Sequence, residues 1–178
     1  MHGIESGGPH FDIWTDVAIV FLCVLLSAFF SGSETALTAA SHARMHTLEK
    51  EGDKRAGAVN RLLRQRNRMI AALLLGSTLV NIGGSAFTTS VLTVIAGENG
   101  AVYATILMTV LLLVFAEVLP KTLAINYPDA MSLRVVRFIT PFVSIFGPLL
   151  AAVEWIVRSV LRLGLEQLVL DRPELDVR

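Results

Sequence analysis

Two long stretches of this 178-residue chain contain no Lys or Arg at all: residues 1–43 and residues 69–120. Eight of the fifteen Lys and Arg residues fall between Arg44 and Arg68, and the other seven follow from Lys121 onward. Cysteine is nearly absent too. The single Cys23 lies in the first apolar run, which excludes an intrachain disulfide and leaves packing as its role. No Lys or Arg precedes that run, so the start lacks the charged region of a cleavable signal peptide. No internal repeat or low-complexity tract is visible.

What is present is apolar side chains, 53% of the total, too many for an ordinary soluble domain of this size. The fold class read from this pattern is an all-α membrane protein with three transmembrane helices, at about 13–40, 69–96 and 101–125. Basic loops stay on the cytoplasmic side, which places the N-terminus and the GENG loop at 97–100 outside and the C-terminus in the cytoplasm of a multi-pass inner (plasma) membrane protein. Residues 1–12 form an extracytoplasmic segment, 13–127 the transmembrane domain with a cytoplasmic loop at 41–68, and 128–165 juxtamembrane helices. The loop has the composition for two short helices, with Gly52 near their turn. The polar tail 166–178 reads as the start of a linker to a further domain.

The stretch 138–161 admits two readings. Its apolar content suits a fourth span, but Pro141, Gly147 and Pro148 interrupt it, and a full crossing would carry Arg158 and Arg162 outside. Broken amphipathic helices lying along the cytoplasmic interface fit the charge pattern better.

Glu117 is the residue that points to function. It ends a run, 101–116, without a charged side chain, and a carboxylate at bilayer depth needs a partner. Pro120 has no N–H, so the carbonyl of Ala116 loses its usual donor beside that carboxylate. Each span also carries a polar stripe at i, i+4 spacing. The first holds Ser27, Ser31 and Thr35; the second Ser77, Asn81 and Ser85; the third Thr105 and Thr109, leading to Glu117 and Lys121. At about 1.5 Å per residue the three levels overlap within about two turns, so the stripes can share one seam. Ser-Gly-Ser-Glu at 31–34 suggests an unwound point inside the first span, of the kind that transporters use for ions.

Three motifs carry a family resemblance: SGSETAL at 31–37, LLLGSTLVNI at 73–82 and AEVLPKTLA at 116–124. Together, and in this order, they resemble the CNNM/CorC family, the cyclin M-type magnesium transporters, over about residues 15–165. The resemblance implies a homodimer moving Mg²⁺, and a cytosolic CBS-type domain beyond these residues. Ser77 departs from the family's frequent asparagine, and Ala116 from its glycine. Ala116 still supplies a carbonyl.

The candidate ligands are Ser31, Ser33, Asn81, Ala116 and Glu117. They are all oxygen donors, a set that suits Mg²⁺, Ca²⁺ or Na⁺ better than zinc or copper. The function read from residues and resemblance together is magnesium transport, taken as export, with Na⁺ as a candidate coupled ion. The alternative is a membrane anchor for regulatory cytosolic domains, without an ion path of its own. Structural readings compete at single residues. Glu117 can pair with Lys121, as can Glu34; Ser27, Ser77, Ser85, Thr105 and Thr109 suit interhelical packing, as do Gly76, Gly83 and Gly84. His42 and His46 lack a third ligand nearby and read as solvated. No histidine falls within a span and no second intramembrane Asp completes a catalytic pair, so an enzyme is not expected. The partners expected are lipid, Mg²⁺ and a second copy; nucleic acid is not, because topology accounts for the basic loop.

Overall fold

The computed structural model describes residues 13–149, together with 151, 152 and 155. The expected segments at 1–12 and 166–178, and nearly all of the second half of 138–161, lie outside the described residues. Among the described residues all regular structure is helical: α1 (Ile13–Ala39), α2 (His42–Lys50), α3 (Lys54–Arg64), α4 (Arg66–Ala96), α5 (Gly100–Leu111), α6 (Leu119–Asn126) and α7 (Pro128–Ile145). A π-helical segment, Leu112–Val118, joins α5 to α6 without a break.

Two helical runs are long and apolar enough to cross a membrane, Ile13–Ala39 and Arg66–Asn126. Only 17% of the most apolar window in each is buried inside the chain. A core helix of a soluble protein would be mostly buried; here the apolar side chains point outward, as lipid requires. The 61-residue second run folds back on itself. Gly97 takes φ +62° at the end of α4, and Gly100 lies so close to the Leu92 carbonyl that a Cβ would have no room. After this turn α5 runs beside α4, where Thr88 Oγ1 lies 3.3 Å from Met108 Sδ.

The two short helices expected in 41–68 are present. Gly52, at φ +97°, ends α2 with both bonds of a Schellman motif: its N–H donates to Glu49 (3.0 Å) and that of Asp53 to Leu48 (2.9 Å). The main buried cluster sits at this end rather than amid the apolar runs. Leu37, Met45, Val59, Met69, Leu73 and Ile139 bring α1, α2, α3, α4 and α7 together there. α7 buries Ser132, Val135, Val136, Ile139 and Val143, one stripe at helical spacing. Asp129 fastens its start, accepting from the Ser41 N–H (2.9 Å) and facing Arg44 (3.6 Å).

Two expected interruptions are absent. α1 runs unbroken through Ser31, Gly32 and Ser33, and α7 continues through Pro141 to Ile145. Where backbone polar groups meet no water, unwinding exposes them at high cost. Gly32 is used for close approach instead: a Cβ there would lie 3.2 Å from Pro120 Cβ. Pro141 sits on the exposed side of α7, away from the packed stripe.

Close approach also fixes α1 against α4. A Cβ on Gly76 would meet Phe30 Cε1 at 2.9 Å and Phe142 Cζ at 3.0 Å; one on Gly84 would meet Cys23 Cβ at 3.0 Å. Gly76→Leu is therefore expected to destabilise the protein by about 1–3 kcal/mol, read as a lower Tm in detergent. Gly83→Ala, where a Cβ meets nothing within 4 Å, should not lower the Tm and should raise it slightly, because alanine restricts the unfolded backbone.

Asp53 caps α3, its carboxylate accepting from the Arg55 N–H (2.8 Å) and from the Arg55 guanidinium (3.0 Å). The hydrogen bond from the Arg55 side chain holds the Asp53 carboxyl below its ordinary value of 3.8. A carboxyl lowered by folding adds stability above its ordinary value and loses it as pH falls through the lowered one. Amide-exchange protection at the start of α3 should fall as the pH drops below 3.8. Asp53→Asn, a cap without charge, should remove that dependence.

Candidate functional site

Hydroxyls inside helices normally satisfy themselves on the carbonyl three or four residues back. Thr35, Thr38, Thr88, Thr89, Thr105 and Thr122 all do so here, over 2.7–3.2 Å. Ser27, Ser31 and Ser33 do not. Their Oγ atoms are buried without a hydrogen-bond partner, and so is Oδ1 of Asn81. Asp16 Oδ2 and Arg68 Nε, in the first turns of α1 and α4, are buried and unpaired as well. A buried polar atom left unpaired costs about 1–3 kcal/mol, so the four in the middle of these apolar helices need an explanation.

Helix contacts set the level of each. The approaches of Gly84 to Cys23 and of Gly76 to Phe30 make α1 and α4 antiparallel, and bring Ser27 level with Asn81. The reversal at Gly97–Gly100 makes α5 and α6 run parallel to α1, and the approach of Gly32 to Pro120 sets their level, so Ala116, one turn before Pro120, falls close to the level of Ser27. Ala116 is fully buried, in the segment that packs against α1. Ser27, Asn81 and Ala116 thus come to one level of the bundle, with Ser31 one turn further along the face of Ser27. Ser33, two residues on, points about 200° round the unbroken helix from Ser31. Its hydroxyl is buried on another side of α1.

The backbone is unusual at this level. The Leu119 N–H donates to the Val114 carbonyl, five residues back, so the helix has widened before Pro120. Wide turns of this kind recur at functional sites, because they re-aim backbone oxygens. A proline predicts a kink; the π-helical turn ahead of it has no sequence signature of its own.

Glu117 stands at the edge of the seam rather than within it. Its side chain is exposed on the single chain, on the same side as Thr105, Thr109 and Lys121. Among the described residues it forms no ion pair with Lys121, and neither does Glu34. The third polar stripe therefore does not meet the other two within one chain; Ala116 does. No group of three or more His, Cys, Asp and Glu is assembled among the described residues, and His42 and His46 join no such cluster. The available donors are hydroxyl, amide and carbonyl oxygens, with one carboxylate alongside. Ser27, which reads from sequence as packing, is 1% exposed and belongs to this set. Its i, i+4 relation to Ser31 is the signal that could have found it.

Residues 18–172 match the family model for the cyclin M transmembrane N-terminal domain. The chain belongs to that family. It is 38% identical over 138 residues to the inner membrane protein YfjD of Escherichia coli, covering 78% of this chain and 32% of that protein. A UPF0053 protein of Haemophilus influenzae is 33% identical over 162 residues, covering 88% of this chain and 39% of the relative. The polyamine export protein of Haemophilus influenzae is 28% identical over 162 residues, covering 84% of this chain and 37% of its own length. The chain thus spans between about a third and two fifths of the length of these relatives. Family membership and outward-facing apolar helices together make this a membrane protein.

Removing a hydroxyl that lacks a partner should stabilise the fold. Ser27→Ala is expected to raise the Tm by an amount equivalent to about 1 kcal/mol. Thermal melts of the two proteins in the same detergent check this.

Proposed function

We propose that this chain is the transmembrane domain of a magnesium transporter. It crosses the membrane three times, by α1, by α4 and by α5 through α6, with the α2–α3 end in the cytoplasm. The relative YfjD, named as an inner membrane protein, supports the same membrane for this chain. The observation that carries the reading is the set of unpaired oxygens of Ser27, Ser31 and Asn81 on α1 and α4, close in level to the π-helical segment that packs against α1. Such donors are unfavourable in an apolar bundle unless something binds them. A hard cation that keeps part of its water shell suits neutral oxygens with one carboxylate nearby.

Glu117 supplies that carboxylate. Its position on an exposed edge supports a homodimer, since a second copy laid on this face would shield the charge from lipid and close the seam. Three crossings per copy are few for a gated path, which favours two copies for the same reason. Export, with Na⁺ as a coupled ion, is the direction and driving force proposed; CBS-type cytosolic domains in the full-length protein would control it.

Glu117→Gln should weaken Mg²⁺ binding about thirtyfold or more and leave folding and dimerisation intact. Titration calorimetry and chromatography on the full-length protein read these separately, and unchanged binding overturns the assignment. A polyamine is the second cargo to test, because a Haemophilus relative is named for polyamine export. Amines would hydrogen-bond to the same oxygens. Flux of each cargo from proteoliposomes decides between them, and flux of neither leaves the anchor reading.

A further inference from the structure

A second feature lies on the opposite side of the α5–α6 helix from Glu117. Here α1 and the α5–α6 helix diverge, leaving a lateral groove of about 670 Å³. All fourteen side chains that line it are apolar, among them Phe21, Ala28, Phe29, Phe115, Pro120 and Met131. Along α1 it extends from Val17 to Phe29, about 18 Å at the helical rise. That length is close to the roughly 15 Å depth of one leaflet of the hydrocarbon core.

The groove has a charged end. Met131, at its floor, begins a face of α7 on which Arg134 follows one turn later. Arg137 lies over the Phe138 ring, 4.6 Å from its centroid, and Phe138 meets the groove residue Phe29 edge to face at 6.1 Å. Both arginines are exposed, and among the described residues neither forms an ion pair. An apolar slot one leaflet long, ending at two unpaired guanidinium groups, has the chemistry of an anionic phospholipid: acyl chain in the slot, phosphate on the arginines.

We propose that the groove between α1 and the α5–α6 helix is a binding site for an anionic phospholipid, held by one acyl chain against Phe29 and Phe115 and by its phosphate at Arg134 and Arg137. The charged end argues for a lipid over a second copy, because a protein partner would have to bring carboxylates to this face, and the exposed face of Glu117 lies on the opposite side of the helix. Pro120 forms part of the wall, so the lipid also packs against the segment that presents Ala116. The site stands independently of the cargo assigned above.

Native mass spectrometry of the full-length protein, titrated with phosphatidylglycerol or phosphatidylcholine, tests this. An arginine near an anionic headgroup contributes about fivefold, so wild type should retain phosphatidylglycerol about thirtyfold more tightly. Exchanging both exposed arginines, Arg134→Gln with Arg137→Gln, should abolish that preference while leaving retention of phosphatidylcholine. Leu25→Trp, at a half-exposed position of the lining, should block the slot and lower retention of both lipids. Equal retention of the two lipids by wild type, or a preference that survives in the arginine variant, overturns the headgroup assignment. Unchanged lipid retention in Leu25→Trp overturns the slot; if the dimer mass is lost at the same time, the occupant is a second copy.

Discussion

Pro120 has no N–H to offer, and the third long helix is organised around that fact. Hydrogen bonds slip from four residues to five before the proline is reached, so the missing donor falls at the end of a wide turn. The same residue presses on Gly32 of α1, and no larger residue at Gly32 would allow that approach without a shift. One contact therefore sets both the register of α1 against α6 and the depth of Ala116. Without it, the oxygens of Ser27 and Ala116 would have no reason to share a level.

Two kinds of cohesion divide the molecule. At the α2–α3 end, apolar side chains from five helices exclude solvent in the manner of a soluble core. Along the long helices cohesion comes instead from small residues, Gly76 beneath Phe30 and Gly84 beneath Cys23, which allow backbones to approach. A bundle held by close contact has little room to hide polar atoms. The oxygens of Ser27, Ser31 and Asn81 therefore stand out against their surroundings.

Much of this was legible in the residues. Charge placement and apolar run length located all three long helices to within about three residues, because hydrocarbon thickness constrains both. Gly52 marked its turn. The motifs around Ser31, Asn81 and Glu117 identified the family. Local chemistry that depends on neighbours was harder to read. Ser-Gly-Ser suggested a break, but Gly32 is spent on Pro120 and the helix stays whole. Ser33, adjacent in sequence, lands on another side of α1, whereas Ser27 joins Ser31. The π-helical turn carries no sequence signature of its own, and a single helix read alone does not reveal it.

The fastening at Asp129 has a mechanical meaning. By the covalent path, α7 follows α6 through the single joint at Tyr127, where the backbone leaves helical geometry. Through space, one carboxylate ties the same end of α7 to the Ser41 amide, just past α1. The rings of Phe138 and Phe142 add to that tie by resting on Phe29 and Phe30 of α1. α7 is thus bound more closely to the first long helix, distant in sequence, than to the helix that precedes it.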